Sequence, residues 1–198
     1  MLSMPLFFTS FEKILFVSVV VLWVLSELVG GGIIPMLRRN GGAVKTKDSG
    51  SNLILRVSLY VSVVIAVVIS LNNTAMLPHW FFYSGIFLTV IGVIVRQWAV
   101  FTLGRFFTLT IGVQKDQKVV DYGPYRFIRH PSYLGLLITL FGIGLALQSC
   151  QGILAMVVIS GLVIGYRIHI EENFLISELD DDYIQNMKRT KQLIPFVV

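Results

Sequence analysis

Five long apolar segments dominate the hydrophobic pattern of the chain, and short polar loops separate them. The segments cover residues 11–29, 53–71, 80–100, 133–148 and 153–168. A helix needs about 20 apolar residues to cross the hydrocarbon core of a membrane, so the first three segments have the length of a span. The fourth is short for a span, and only residues 148–152 separate it from the fifth. The pattern predicts five transmembrane helices, the last two of which form a tight antiparallel hairpin.

An amphipathic stretch follows the fifth apolar segment. Within residues 171–187, one apolar stripe at i, i+4 spacing is formed by Leu175, Leu179, Tyr183 and Met187. This spacing predicts a helix that leaves the membrane. The expected fold class is therefore all-α: a polytopic membrane protein with five transmembrane helices, a cytoplasmic C-terminal helix and no strand, in a single integral membrane domain over residues 1–198.

The composition supports a membrane protein and excludes several other classes. Hydrophobic residues make up 55% of the chain, charged residues make up 14%, and the mean hydropathy is +0.78. Soluble domains contain about 25% charged residues. A soluble enzyme, a disordered chain and a nucleic-acid reader are therefore excluded, although the net charge is +5. No nucleic-acid partner is expected, membrane lipids surround the chain, and the sequence carries no signal for an oligomeric state.

The basic residues occupy alternate loops. Cytoplasmic loops of membrane proteins carry an excess of Lys and Arg. The loops at residues 72–79 and 148–152 contain neither residue. The bias predicts an N-terminus outside and a C-terminus in the cytoplasm. The basic residues that determine this orientation are Arg38, Arg39, Lys45, Lys47, Arg56, Arg105, Lys115, Lys118, Arg126, Arg129, Lys188, Arg189 and Lys191.

A turn at residues 123–135 presents the first group of chemically active side chains. Pro131 disfavours helical geometry at His130, the residue before it. Pro131 is also suited to the first turn of the fourth helix, where a missing N–H costs nothing. We therefore expect Arg129 and His130 to be held at the membrane surface.

The second group lies at the cytoplasmic end of the fifth span. Arg167 and Glu171 are i, i+4 neighbours on one helix face, and Glu172 follows directly. Because the last two spans are antiparallel, their cytoplasmic ends must lie close together, next to Arg129 and His130. Such a pocket suits a zwitterion, with a carboxylate held by an Arg fork and an ammonium group held by the Glu pair.

Simpler interpretations of these residues remain open. Arg126 and Arg129 could be positive anchors at the membrane surface, and Glu171 and Glu172 could form a solvated helix start. His169 and Glu172 have the spacing of metal ligands, but no third ligand is nearby, so we expect no metal site.

Three further ionisable residues lie in or beside the apolar segments. Glu27 and Arg96 lie near the inner ends of the first and third spans, where an ionisable residue is a functional candidate. Snorkelling of the side chain to the interface explains Arg96 equally well. His79 is expected at the outer interface.

The motifs of the C-terminal half resemble the isoprenylcysteine carboxyl methyltransferase family. The family pattern Arg-His-Pro-x-Tyr-x-Gly, followed by Glu-Glu, occurs here from Arg129 to Gly135 and at Glu171-Glu172. The resemblance covers residues 102–198, and phospholipid N-methyltransferases share much of it. Further matching motifs are Thr102-Leu103-Gly104, Gly123-Pro124-Tyr125, Arg167, Asp182-Tyr183 and Leu193-Ile194-Pro195-Phe196.

The resemblance implies S-adenosylmethionine as the cofactor, bound on the cytosolic side, and a lipid-like or prenylated acceptor that enters from the membrane. It divides the chain into three N-terminal spans (residues 1–101) and a part that contains the cofactor-binding loop, the helical hairpin and the tail (residues 102–198). It implies that Arg167 and Arg129 are catalytic. The cofactor-binding residues that it implies are Tyr125, His130, Tyr133, Gly135, Glu171 and Glu172.

Two methyltransferase reactions and two other functions are compatible with these motifs. An acceptor carboxylate is ionised at neutral pH and needs no base, so carboxyl O-methylation requires mainly alignment. A lipid amine must lose a proton, so N-methylation requires a base such as Glu172 or His130. Membrane sterol reductases have a related Arg-His turn but usually an Arg-rich segment in place of Glu171-Glu172. A non-catalytic membrane protein is disfavoured because the charged residues of both groups are intact.

Overall fold

The five apolar segments form five helices in the computed structural model, which describes residues 9–33, 44–46, 50–72, 77–114 and 117–193. The all-helical prediction is thereby confirmed. Arg38, Arg39, Lys47, Lys115 and residues 194–196, which contributed to the sequence interpretation, lie outside these ranges. In chain order the helices are α1 (Ser10–Leu28), α2 (Ser51–Asn72), α3 (Trp80–Leu103), α4 (Pro131–Ala146) and α5 (Cys150–Arg189).

The helix starts follow local sequence signals. At the start of α1, the Thr9 hydroxyl accepts from the Glu12 N–H, and the Glu12 carboxylate accepts from the Thr9 N–H, each at 3.2 Å. This reciprocal pair satisfies two backbone donors that a helix end otherwise leaves open. Helix α4 begins at Pro131, and His130 before it has φ −122° and ψ 55°. The expected non-helical turn at His130 is therefore present.

Helix α5 is longer than the sequence pattern suggested. The helix expected over residues 171–187 is present as a continuation of α5, which runs from Cys150 through Glu171 and leaves helical geometry only at Asp180, with φ 45° and ψ −127°. Residues 166–179 contain no proline and no glycine, so no residue there interrupts the helix. Arg167, Glu171 and Glu172 consequently project from one rigid helix.

A short two-stranded sheet lies beside the helices, although the sequence suggested no strand. Strand β1 (Val44–Thr46) pairs antiparallel with β2 (Gly112–Gln114). Three residues are too few to show the alternation of apolar and polar residues that indicates a strand. Ile111 and Val113 pack against Phe174 of α5, so this sheet adjoins the part of α5 that carries the acidic pair.

The helices alternate in direction, so the bundle has two chemically different ends. At one end Tyr83 of α3 donates to Glu12 of α1 at 3.1 Å. At the other end Arg96 of α3 bonds to Glu27 of α1 at 3.0 Å, and Arg167 of α5 bonds to Ser51 of α2. All the predicted site residues belong to this second end, which we call the active end.

Helix length and surface chemistry both indicate a multi-pass membrane protein. Within the described ranges, three helices are long and apolar enough to cross a bilayer: Ser51–Asn72, Trp80–Phe106 and Cys150–Arg189. Helix α4 is apolar but has 16 residues, and α1 carries Glu12, Lys13 and Glu27. Large apolar side chains point outward, including Phe87 at 66% and Leu162 at 71% exposure. A soluble protein would rarely expose an apolar surface of this extent.

Helices α3 and α4 approach each other along a seam of small residues. On α3 the seam contains Gly85, Thr89 and Gly92, and α4 contributes Gly135 and Gly142. The Thr89 hydroxyl donates to the Gly85 carbonyl at 2.8 Å, so this polar group is satisfied within its own helix. Small residues of this kind let helix backbones pack closely in a membrane.

We expect Gly142→Ala to destabilise the bundle. A Cβ atom at Gly142 would lie 2.5 Å from the Thr89 backbone nitrogen, so the helices would have to separate. Overpacking of this kind costs about 1–3 kcal/mol. Thermal unfolding in detergent measures the effect. Gly161→Ala is the matched control, because a Cβ at Gly161 meets no atom within 4 Å. Equal midpoints for the two variants would contradict the packing role of the seam.

Candidate active site

A cavity opens at the active end, between α2, α3, α4, α5 and the segment around β2. Six of the eight site residues that the sequence suggested line it, namely Tyr125, Arg129, His130, Tyr133, Arg167 and Glu171. The apolar part of the wall includes Leu55, Leu59, Leu103, Phe106, Phe107, Leu136, Leu175 and Leu179. The cavity therefore combines charged groups with an apolar surface beside the membrane.

The Tyr133 hydroxyl connects the two charged groups of the wall. It donates to a Glu171 carboxylate oxygen at 2.6 Å and accepts from Arg167 Nε at 3.2 Å. Tyr133 lies in the first turn of α4, and its partners are about one turn apart on α5. The sequence expectation that the ends of the two helices meet is confirmed by these distances. One phenol thus fixes a cation and an anion side by side on the cavity wall.

Two other parts of the chain, besides Tyr133, hold the Arg167 guanidinium. Its Nη1 donates to the Ser51 hydroxyl at the start of α2. Its Nη2 donates to the Leu109 carbonyl at 2.6 Å, in the segment before β2. Only 3% of Arg167 is exposed, so its charge is buried among hydrogen bonds. A side chain held in this way does not reach out to the membrane surface, which argues against a plain anchor.

Glu172 is at the centre of a separate ionic network. One carboxylate oxygen accepts from Arg129 Nε at 2.7 Å and lies 3.1 Å from His130 Nε2. The other oxygen accepts from the Gln192 amide at 2.8 Å. Glu172 is 8% exposed and is absent from the cavity wall. Its carboxylate therefore joins the Arg-His turn to α5 and to the tail.

Backbone hydrogen bonds tie the tail to the same turn. The Arg129 N–H donates to the Lys191 carbonyl at 2.8 Å, and the His130 N–H donates to the Gln192 carbonyl at 3.1 Å. Arg129 Nη1 also donates to the Thr190 carbonyl at 2.6 Å. The residues after α5 therefore act as a short strap behind Arg129 and His130.

Gly135 does not line the cavity. A Cβ at this position would lie 2.6 Å from the Arg96 backbone nitrogen, so Gly135 belongs to the α3–α4 seam. The cofactor-binding roles suggested for Gly135 and Glu172 remain predictions. In the structure Gly135 lets α3 and α4 pack closely, and Glu172 holds the Arg-His turn to α5 and the tail.

Glu27 and Arg96 form a buried pair on the cavity wall. Arg96 donates from Nε and Nη2 to the two Glu27 oxygens, each at 3.0 Å. Arg96 is 6% exposed and lies over the Phe107 ring at 5.6 Å. The snorkelling interpretation of Arg96 is therefore wrong. A bidentate partner on α1 keeps its charge inside the bundle.

Two tyrosines offer neutral hydroxyl groups to the cavity. Burial raises the pKa of the Tyr125 hydroxyl and the nearby Glu171 carboxylate raises it further, so this group stays protonated at neutral pH. Tyr183 is 4% exposed, and its hydroxyl has no hydrogen-bond partner within the described ranges. A buried polar group without a partner is costly, and a ligand in the cavity could supply one.

His169 lies outside this arrangement. Its ring nitrogen lies 3.1 Å from the Asn173 amide on the exposed side of α5. Among the residues that the structure describes, no three His, Cys, Asp or Glu side chains are placed to hold a metal ion.

Several residues of the site could not be found from the sequence. Ser51 and Leu109 contact Arg167, and Gln192 contacts Glu172, over distances of 116, 58 and 20 residues along the chain. A serine at a helix start, a leucine carbonyl and a tail glutamine carry no motif. Glu27 and Arg96 were visible as buried charges, but only the fold shows that they pair.

Comparison with known proteins finds similarity to a family of membrane methyltransferases. The family model described as isoprenylcysteine carboxyl methyltransferase (ICMT) matches residues 85–177. Protein-S-isoprenylcysteine O-methyltransferase B of Arabidopsis thaliana is 32% identical over 124 residues, which are 60% of this chain and 62% of that protein. The corresponding Saccharomyces cerevisiae enzyme is 30% identical over 115 residues, 57% of this chain and 48% of that protein. The chain thus spans less than two thirds of these relatives.

A solved structure supports the same relationship. The eukaryotic intramembrane Ras methyltransferase ICMT superposes with a TM-score of 0.58 and 28% sequence identity. The match covers 75% of this chain and 53% of the solved chain. The helical arrangement described above is therefore shared with a membrane methyltransferase.

Proposed function

We propose that this chain, which belongs to the isoprenylcysteine carboxyl methyltransferase family, transfers a methyl group from S-adenosylmethionine to the carboxylate of an isoprenylcysteine-like acceptor. The observation that carries the proposal is the Tyr133 hydroxyl, which holds Arg167 and Glu171 side by side on a wall that also contains many apolar side chains. This arrangement offers a cation for an acceptor carboxylate, an anion for a cationic cofactor and an apolar surface for a lipid chain.

The side chains of the cavity fit the chemical groups of S-adenosylmethionine. Its ammonium and sulfonium groups are cationic, which suits the Glu171 carboxylate on the wall. Its carboxylate suits an arginine, and Arg129 reaches the same wall. The unpartnered Tyr183 hydroxyl offers a further donor or acceptor. When bound, this cofactor supplies a methyl group that is already activated on sulfur.

The reaction requires orientation more than proton transfer. The acceptor carboxylate is ionised at neutral pH, so no side chain has to remove a proton. Arg167 is held by three contacts to α2, α4 and the Leu109 carbonyl, which fixes the plane of its guanidinium. A fixed guanidinium can orient the acceptor carboxylate, and orientation of this kind lowers a barrier without general acid–base chemistry. The apolar side chains of the wall would limit the access of water to the reacting groups.

The same geometry disfavours methylation of a lipid amine. That reaction needs a base at the cavity. Glu172 is engaged by Arg129, His130 and Gln192, and His130 directs its Nε2 at Glu172. Neither group suggested as a base is therefore poised to remove a proton from an acceptor.

Isotope transfer tests the proposed reaction. The purified protein is incubated with S-adenosylmethionine labelled in the methyl group and with an N-acetylated, S-prenylated cysteine. The expected product is labelled and loses its label as methanol in alkali, because an ester hydrolyses there. An alkali-stable product would instead indicate N-methylation, and it would overturn the O-methylation proposal.

Glu171→Gln should weaken cofactor binding while leaving the fold intact. Glu171 is the acidic residue of the Glu pair that lines the cavity, and it is only partly buried. Losing a charge-assisted contact costs about 1.5–3 kcal/mol, which corresponds to roughly 10- to 150-fold in affinity. Calorimetric titration with S-adenosylhomocysteine, whose ammonium group is retained, measures the change. Asp181→Asn on the exposed end of α5 is the control. Equal affinity for Glu171→Gln and the unaltered protein would remove Glu171 from the site.

We further propose that all five helices cross the membrane, with the N-terminus outside and the active end in the cytoplasm. The alternation in helix direction and the basic loops support this topology. Cys150 is exposed at the end opposite the active site, and it is the single cysteine of the chain. A membrane-impermeant maleimide should therefore label Cys150 in intact cells. It should label Lys118→Cys, in a Cys150→Ser background, only after permeabilisation. The reverse pattern would invert the topology.

A further inference from the structure

A second pocket lies on the protein surface at the active end, next to the strap. It is lined by Arg126 and Phe127, from the turn before α4, and by residues 187–191 at the end of α5. Arg126, Lys188, Arg189 and Lys191 are all exposed there. We propose that this basic pocket binds the phosphate group of an anionic phospholipid.

The charges of the basic pocket are concentrated and uncompensated. None of its lining residues is acidic, and the described ion pairs include none of its four cations. Four like charges around one pocket repel one another, and an anion relieves this repulsion. The pocket encloses about 290 Å³, which is ample for a phosphate group.

Exposed aromatic residues in the segment that leads into the basic pocket favour a lipid as the source of the phosphate. Phe127 is 59% exposed on the pocket wall. Tyr122 lies outside the pocket, four residues before Arg126, and is 61% exposed, with its hydroxyl donating to the Thr102 carbonyl. Exposed aromatic side chains next to cations are typical of the membrane–water interface. The transmembrane helix α4 begins only four residues after Phe127, at Pro131. A soluble phosphate would gain nothing from these aromatic side chains, whereas a lipid can contact them with its glycerol and upper chain.

The basic pocket is connected directly to the active site through Arg129. The pocket residues Thr190 and Lys191 accept hydrogen bonds from Arg129 through their carbonyls, at 2.6 and 2.8 Å. A headgroup that holds these residues would also steady the strap behind Arg129 and His130. An anionic lipid should therefore increase methyl transfer. This last consequence rests on the proposed function, whereas the binding itself does not.

Lipid binding can be measured without any enzymatic assay. The full-length protein in neutral detergent micelles is titrated with a fluorescently labelled short-chain phosphatidylglycerol, and the labelled phosphatidylcholine is the lipid control. The test variant is Lys188→Gln/Arg189→Gln. The charge-matched control is Lys13→Gln/Arg105→Gln, two exposed cations outside the basic pocket. Each cation near an anionic lipid surface increases the affinity about fivefold. Removal of two cations should therefore weaken binding to the test variant roughly 30-fold. The control variant should bind the lipid as tightly as the unaltered protein.

The outcomes separate the possible ligands. Tighter binding of phosphatidylglycerol than of phosphatidylcholine, lost only in the test variant, supports the proposal. Displacement of the lipid by millimolar inorganic phosphate alone would show a site for free phosphate and overturn the lipid assignment. Equal loss in both variants would show general charge attraction. Preferential binding of an acidic peptide over the lipid would overturn the lipid proposal and indicate a protein partner instead. If lipid binding is confirmed but no methyl transfer occurs, only the proposed function fails.

Discussion

Replacing Arg167 by lysine should abolish most turnover while leaving cofactor affinity intact. The guanidinium contacts Tyr133, Ser51 and the Leu109 carbonyl through three different nitrogens. A lysine has one nitrogen and cannot hold all three partners while also facing an acceptor in a fixed plane. Loss of an electrostatic stabiliser of this kind costs about 2–4 kcal/mol in the transition state, a factor of roughly 30 to 1,000.

Steady-state kinetics with a prenylated cysteine acceptor measure this effect. If Arg167 acts mainly in the transition state, kcat and kcat/KM fall together. Titration with S-adenosylhomocysteine distinguishes a loss of catalysis from a loss of folded protein, because a folded variant still binds this ligand with unaltered stoichiometry. Arg105→Lys is the control, since Arg105 is exposed at the same end and lies outside the cavity wall. Near-normal turnover of Arg167→Lys would show that Arg167 only holds Tyr133, Ser51 and the Leu109 carbonyl together and does not orient the acceptor.

The sequence predicts much of this site because its charged residues lie at the ends of strongly apolar segments. Helix positions follow from hydrophobic length, and Pro131 marks the start of α4 within the chain itself. Antiparallel pairing of α4 and α5 then brings Tyr133 to Arg167 and Glu171 without any knowledge of side-chain packing. Helix positions, helix starts and the pairing of consecutive helices depend on residues that are close in the sequence, so the hydrophobic pattern predicts them.

The remaining features depend on contacts between distant segments, which no periodicity encodes. Arg96 could be read as a snorkelling residue until α1 placed Glu27 against it. Gly135 could be read as part of a cofactor motif, whereas its missing side chain lets α4 reach the backbone of α3. The sequence also could not distinguish the role of Glu171 from that of Glu172. A helix turns by about 100° per residue, so neighbours face different partners, and only the fold shows which of the two meets the cavity.

Glu171 faces the cavity, whereas Glu172 is held in a buried ionic network. We therefore expect Glu172→Gln mainly to destabilise the protein. The Glu172 carboxylate pairs with Arg129 and contacts His130, with side-chain exposures of 10%, 9% and 4%. Removing one partner of a buried ion pair leaves a buried charge uncompensated and typically costs about 3–5 kcal/mol. The glutamine oxygen can still accept from Arg129, so we expect a loss at the low end, about 3 kcal/mol. That loss lowers the unfolding midpoint by roughly 6–12 °C for a chain of this size.

Thermal unfolding in detergent, followed in parallel for Glu172→Gln and Glu171→Gln, tests this division. The midpoint should fall for Glu172→Gln alone, because only its carboxylate joins the Arg-His turn to the strap through Gln192. Asp181→Asn, an exposed acidic residue on the same helix, controls for the loss of one negative charge and should change stability by less than about 0.5 kcal/mol. An unchanged midpoint for Glu172→Gln, together with lost cofactor binding, would show instead that Glu172 contacts the cofactor. The cofactor would then contact the carboxylate oxygen that accepts from Gln192, because a carboxylate has about four acceptor sites and Glu172 uses three of them in the structure.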